Sequence, residues 1–106
     1  MQNIEDIKKT IGEKSAVMLY FSAPACNVCH ALKPKLLEAI KCNFKEFEVL
    51  SIDTSLEQET AAYFSVFAIP TVLVFLDGKE FLRKSRHMSV DEVVLEIKRP
   101  YEIMMR

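Results

Sequence analysis

Two stretches of this chain have no polar face. Ala16 to Phe21 reads AVMLYF, and Thr71 to Leu76 reads TVLVFL. Both have strand length, and successive side chains on a strand point to opposite sides of its sheet. A strand without polar alternation is covered on both faces, as in a parallel sheet clad by helices. Neither run approaches the roughly 20 apolar residues that cross a bilayer. A transmembrane protein is therefore excluded, and no membrane is expected as a partner.

The segments around these runs read as alternating helices and strands. Asn3 can cap a first helix with Ile4, Ile7 and Ile11 on one face, ended by Gly12. A second helix is expected from about Cys26 to Lys41. Its stripe is Leu32, Leu36, Leu37 and Ile40, and Pro34 should kink it. Phe47 to Ile52 is a second strand. Ser55 and Gln58 read as a capping box for a helix from Leu56 to about Phe64. Asp77-Gly78 is a hairpin signal that joins the third strand to a more polar fourth, Lys79 to Lys84. Ser89 and Glu92 cap a last helix that buries Val90, Val93, Val94, Ile97 and Tyr101, with Pro100 near its end. The expected order is α-β-α-β-α-β-β-α: an α/β fold with a mostly parallel sheet, an antiparallel last strand, and helices on both faces. At 106 residues, 50% hydrophobic and 27% charged, the chain fits one globular domain over residues 1–106.

Cys26-Asn27-Val28-Cys29 falls where the first strand hands over to a helix. A helix start presents unpaired N–H groups and the positive end of the helix dipole, which favour a thiolate over a thiol. A cysteine so placed can have its pKa lowered from about 8.5 to roughly 3.5–7.5. The thiolate is the attacking species in disulfide exchange. Cys26, at the entrance, is the expected exposed nucleophile. Cys29, further in, is the expected buried thiol that resolves the mixed disulfide. With only three cysteines, a stapling disulfide framework is not expected.

The segment Phe21-Ser22-Ala23-Pro24-Ala25-Cys26-Asn27-Val28-Cys29 resembles the thioredoxin family's aromatic-x-Ala-Pro-Trp-Cys-x-x-Cys. Pro34 matches that family's kink proline, Ala68-Ile69-Pro70-Thr71 its cis-proline motif, and Asp77-Gly78-Lys79 its hairpin. The resemblance runs from about residue 3 to 100. It implies a thioredoxin fold with a four-stranded mixed sheet, an N-terminal helix taking the place of the usual leading strand. It also implies that Pro70 is cis and lies against the cysteine pair, with the Ile69 backbone open to an extended substrate segment. Ala25 stands where the family has Trp, and Asn27-Val28 where it has Gly-Pro. Tyr20 replaces the buried acid, Val49 that acid's lysine partner, and Arg86 a glycine.

The implied function is thiol–disulfide exchange, reducing protein disulfides by way of a mixed disulfide. Ile69, Pro70, Ala25 and Arg86 would contact substrate, while His30 and His87 would modulate the thiolate. For His30, Arg86 and His87, ordinary solvated surface charge is the competing reading. The alternative function is a binding module of the same fold with little exchange activity. No cofactor is expected, and no metal: Cys42, the third thiol, stands about 20 Å of helix rise from Cys26 and reads instead as a half-buried apolar residue. A CxxCH haem attachment fits neither the α/β pattern nor the N-terminus. The expected partners are disulfide-containing proteins and an electron-donating reductase or small thiol, with the chain a monomer. Net charge is -1, so no nucleic acid is expected. Met1 to Asp6 shows no leader pattern, which points to the cytoplasm.

Overall fold

The computed structural model describes residues 3–106; Met1 and Gln2, part of the segment read for a leader, lie outside them. The elements run α1 (Ile4–Glu13), β1 (Ala16–Ser22), α2 (Asn27–Asn43), β2 (Glu48–Asp53), α3 (Gln58–Tyr63), β3 (Thr71–Leu76), β4 (Lys79–Ser85) and α4 (Val90–Met104). The strands form one mixed sheet in the order β2-β1-β3-β4, and α1 precedes its first strand.

The two apolar runs are its central strands, and their alternation sorts the core into two layers. Val17, Leu19 and Phe21 of β1 join Leu73 and Phe75 of β3 against Ile7 and Ile11 of α1 and Ala61 of α3. Ala16, Met18 and Tyr20 point the other way. They meet Val72 and Val74 together with Leu36 and Ile40 of α2 and Val93, Ile97 and Tyr101 of α4. Helices therefore cover both faces, which is why neither strand needs a polar side.

Only β1 and β2 run parallel; β3 lies antiparallel to β1, and β4 antiparallel to β3. The expectation of a mostly parallel sheet is thus corrected. The six-residue α3 rises only about 9 Å, less than half the length of a six-residue strand, so it does not itself carry the chain back to the far end of the sheet. The chain instead turns back at the end of the sheet where β2 finished. Burial on both faces fixed the layers but not the strand direction.

Three local expectations are also corrected. Gly12 does not stop α1, which continues to Glu13; among the described residues Gly78 is the only glycine with positive φ, so Gly12 supplies no left-handed cap. Ser55 does not cap α3. The Asp53 carboxylate accepts both its N–H and its hydroxyl, and the helix starts at Gln58 without a side-chain cap. Pro100 sits inside α4, which reaches Met104. The helical bond that Pro100 removes is the one to the carbonyl of Glu96, an exposed residue whose backbone water can serve. Other signals hold: Asn3 Oδ1 accepts the Asp6 N–H at 2.8 Å, Ser89 Oγ accepts the Glu92 N–H at 3.3 Å, and Asp77-Gly78 turns with positive φ at both residues.

Candidate active site

The strand register brings three distant pieces of chain to one end of the sheet. Phe21 of β1 pairs with Thr71 of β3, and Thr71 pairs with Ser85 of β4. The Cys26 loop after β1, Pro70 before β3 and Arg86 after β4 therefore meet there.

Cys26 is the N-cap of α2. Its N–H donates to the Ala23 carbonyl at 3.0 Å, and its carbonyl accepts the His30 N–H at 3.2 Å. Cys26 and Cys29 form a disulfide, with Cα atoms 5.3 Å apart. The Cys29 N–H donates to Cys26 Sγ at 3.2 Å, so the sulfur occupies the position a capping oxygen would take. The first turn of α2 carries no acidic residue, so no carboxylate offsets the positive end of its dipole. Cys26 is half-buried rather than exposed, and Cys29 is 1% exposed.

Behind Cys29 lies Tyr20, fully buried among the apolar side chains of α2, β3 and α4. Its hydroxyl donates to the Cys29 carbonyl at 2.8 Å. Burial pushes its pKa up, so the group is a neutral phenol and a donor. Among the described residues no Asp or Glu is buried. The position of the family's buried acid is thus filled by a group whose proton is committed to the backbone. Sequence reading noted the replacement but had no signal for this bond.

The Ile69–Pro70 peptide bond is cis, and Pro70 is buried. The Pro70 carbonyl accepts the Arg86 N–H at 2.7 Å. The Thr71 hydroxyl donates to the Ala68 carbonyl at 2.7 Å and meets Ser85 Oγ at 2.9 Å. These bonds clamp residues 68–70 to the end of β4; Thr71 is part of the Ala68-Ile69-Pro70-Thr71 motif, but the sequence carries no signal that its hydroxyl meets Ser85. Ile69 is half-buried on the layer of α1 and α3.

Ala25 is exposed beside Cys26, and Val28, between the cysteines, is 61% exposed. His30 Nε2 lies 2.8 Å from the Pro24 carbonyl, which can only accept, so Nε2 carries the proton. Arg86 and His87 are exposed and, with Val28, Leu32 and Met88, line a hollow of about 460 Å³. A second hollow of about 310 Å³ opens beside Ile69, lined by Ala61, Val66 and the 86% exposed Phe67. Cys42 is exposed on the last turn of α2, which corrects the expectation that it would be half-buried.

The thioredoxin family model matches residues 2–99. The chain belongs to the thioredoxin family. It is 32% identical over 103 residues to the thioredoxin-like protein YdfQ of Bacillus subtilis, covering 97% of this chain and 91% of that one. Thioredoxin 1 from Thermosipho africanus is 32% identical and superposes with a TM-score of 0.76, covering 85% of this chain and 99% of that one. A thioredoxin variant from Halobacterium salinarum, at 22% identity, shares the fold with a TM-score of 0.81 over 95% of this chain and 87% of its own. Family and fold together support thiol–disulfide oxidoreductase chemistry as the general class of this chain. Among the described residues no helix is long and apolar enough to cross a membrane.

Proposed function

We propose that this protein reduces disulfides in other proteins, with Cys26 as nucleophile and Cys29 as resolving thiol. The observation that carries this reading is the Cys26 sulfur at the mouth of α2, accepting the Cys29 N–H with no acidic residue in that helix's first turn. The same donor and the helix end that cap the sulfur in the disulfide stabilise a thiolate once the bond is reduced.

In the first step the Cys26 thiolate attacks one sulfur of the substrate disulfide. The substrate S–S bond breaks, a mixed disulfide forms, and the other substrate sulfur leaves as a thiolate. Cys29 then loses its proton and attacks Cys26 Sγ. The Cys26–Cys29 disulfide forms and the second substrate sulfur departs. Two electrons pass to the substrate, whose two sulfurs take up protons. The Tyr20 phenol is a donor and no buried carboxylate is present among the described residues, so the Cys29 proton goes to water or to the departing substrate sulfur. A reductase or small thiol returns the pair to the dithiol, and no cofactor takes part.

The substrate lies extended across residues 68–70. Pro70 has no N–H and its carbonyl is taken by Arg86, so the Ile69 backbone is the pairing edge. Ala25 leaves the approach to Cys26 uncrowded. His30 holds the Pro24 turn, and His87 lines the rim. The protein acts as a monomer in a reducing cytoplasm.

Insulin reduction by dithiothreitol tests the reading. Wild-type protein should accelerate it, Cys26→Ser should abolish the acceleration, and Cys29→Ser should trap substrate as a mixed disulfide visible by mass. No acceleration by the wild type would favour the binding module instead.

A further inference from the structure

The three basic side chains around the end of β4 are not used alike. Arg83 is committed: it pairs with Glu80 and donates to the carbonyls of Phe64 and Ser65. Lys84 pairs with Glu96 of α4 at 3.1 Å. Arg86 makes no ion pair among the described residues, and it is exposed. It also has a backbone that side chains disfavour, with φ of 63°, in the left-handed region. The geometry is imposed from both sides: the Arg86 N–H reaches the Pro70 carbonyl at 2.7 Å, and the preceding Ser85 hydroxyl meets Thr71. Glycine would meet the same backbone demand without strain. A long cation held there against conformational preference, beside the cis proline at the same end of the sheet as the cysteines, has the character of a functional outlier.

Its surroundings say what it would hold. The hollow it lines starts at Val28, between the cysteines, and continues along Leu32 and Met88, with His87 adding a second nitrogen base. The carboxylate on that hollow, Glu92, belongs to the first turn of α4, where it offsets that helix's own positive end. An aliphatic floor with a free guanidinium at its rim suits an acidic side chain whose neighbour is apolar.

We propose that Arg86 is a specificity-determining residue that favours disulfides with an Asp or Glu beside the attacked cysteine. The proposal rests on the exchange reading above and adds a substrate class to it. The test uses two disulfide peptides that differ only in Glu or Gln next to the cysteine. The readout is the ratio of their kcat/KM values. Wild-type protein should favour the Glu peptide about five-fold at low salt, the scale of one partly exposed ion pair, with the ratio shrinking as salt is added. Arg86→Gly, which the left-handed backbone accommodates, should bring the ratio to about one, and Arg86→Lys should retain part of it. A ratio of one in the wild type, or an undiminished ratio in Arg86→Gly, overturns the proposal while leaving the exchange reading intact. If the wild type reduces neither peptide nor insulin, the exchange reading fails, and this proposal with it.

Discussion

Replacing Tyr20 with Phe removes one oxygen atom from a fully buried side chain and leaves the ring in place. The lost interaction is the bond from the phenol to the Cys29 carbonyl, 2.8 Å long and closed to solvent. A neutral buried hydrogen bond contributes about 1 kcal/mol net. For a chain of this length that corresponds to a fall in melting temperature of about 4 °C. The effect should also depend on pH in a defined direction. Burial raises the Tyr20 pKa, so above about pH 10 the unfolded chain ionises this tyrosine while the folded chain keeps it neutral. The unfolded state then binds fewer protons than the native state, and wild-type stability falls as pH rises. Tyr20→Phe has no such group to titrate. The gap between the two proteins should therefore be full at neutral pH and narrow above pH 10. Tyr63 and Tyr101 are common to both proteins and cancel in the difference. Thermal or urea melts of the disulfide forms, run from pH 7 to pH 11, check this. A gap that is absent at pH 7, or that widens in alkali, would refute the assignment of Tyr20 as a buried donor.

Thr71→Val keeps the shape of a buried side chain but leaves the Ala68 carbonyl and the Ser85 hydroxyl without their partner. It should cost about 1–2 kcal/mol in urea unfolding and should slow insulin reduction by loosening residues 68–70. Gly78→Ala should cost about 1 kcal/mol, because φ is 82° while the nearest atom to an added Cβ, the Ile11 carbonyl oxygen, is 3.9 Å away. The expense is therefore backbone strain alone, and Gly78→Asn should recover part of it in the same melts.

What the sequence disclosed depended on range. The apolar runs disclosed the central strands, because lack of alternation is a local property with one structural meaning. The cysteine pair disclosed its place at a helix mouth for the same reason. The direction of β3 was hidden, since a strand buried on both faces reads alike in either orientation. Ser55 misled because Asp53, two residues earlier, holds its N–H and hydroxyl in a turn, and the helix starts only at Gln58. Pro100 reads as an end, yet the acceptor it forfeits sits at the exposed Glu96 and α4 runs on to Met104. The bond from Tyr20 to Cys29 and the clamp of Arg86 on Pro70 were illegible, because folding alone creates those neighbours.

The cysteines occupy residues 26 and 29, yet the end of the sheet where they lie is completed only at residue 86, through β3 and β4. During synthesis the cysteine pair is therefore made before β3 and β4, the strands that bring Pro70 and Arg86 to its end of the sheet. Until those strands join β1 in the sheet, the two sulfurs stand in a chain that lacks the bond from Arg86 to Pro70.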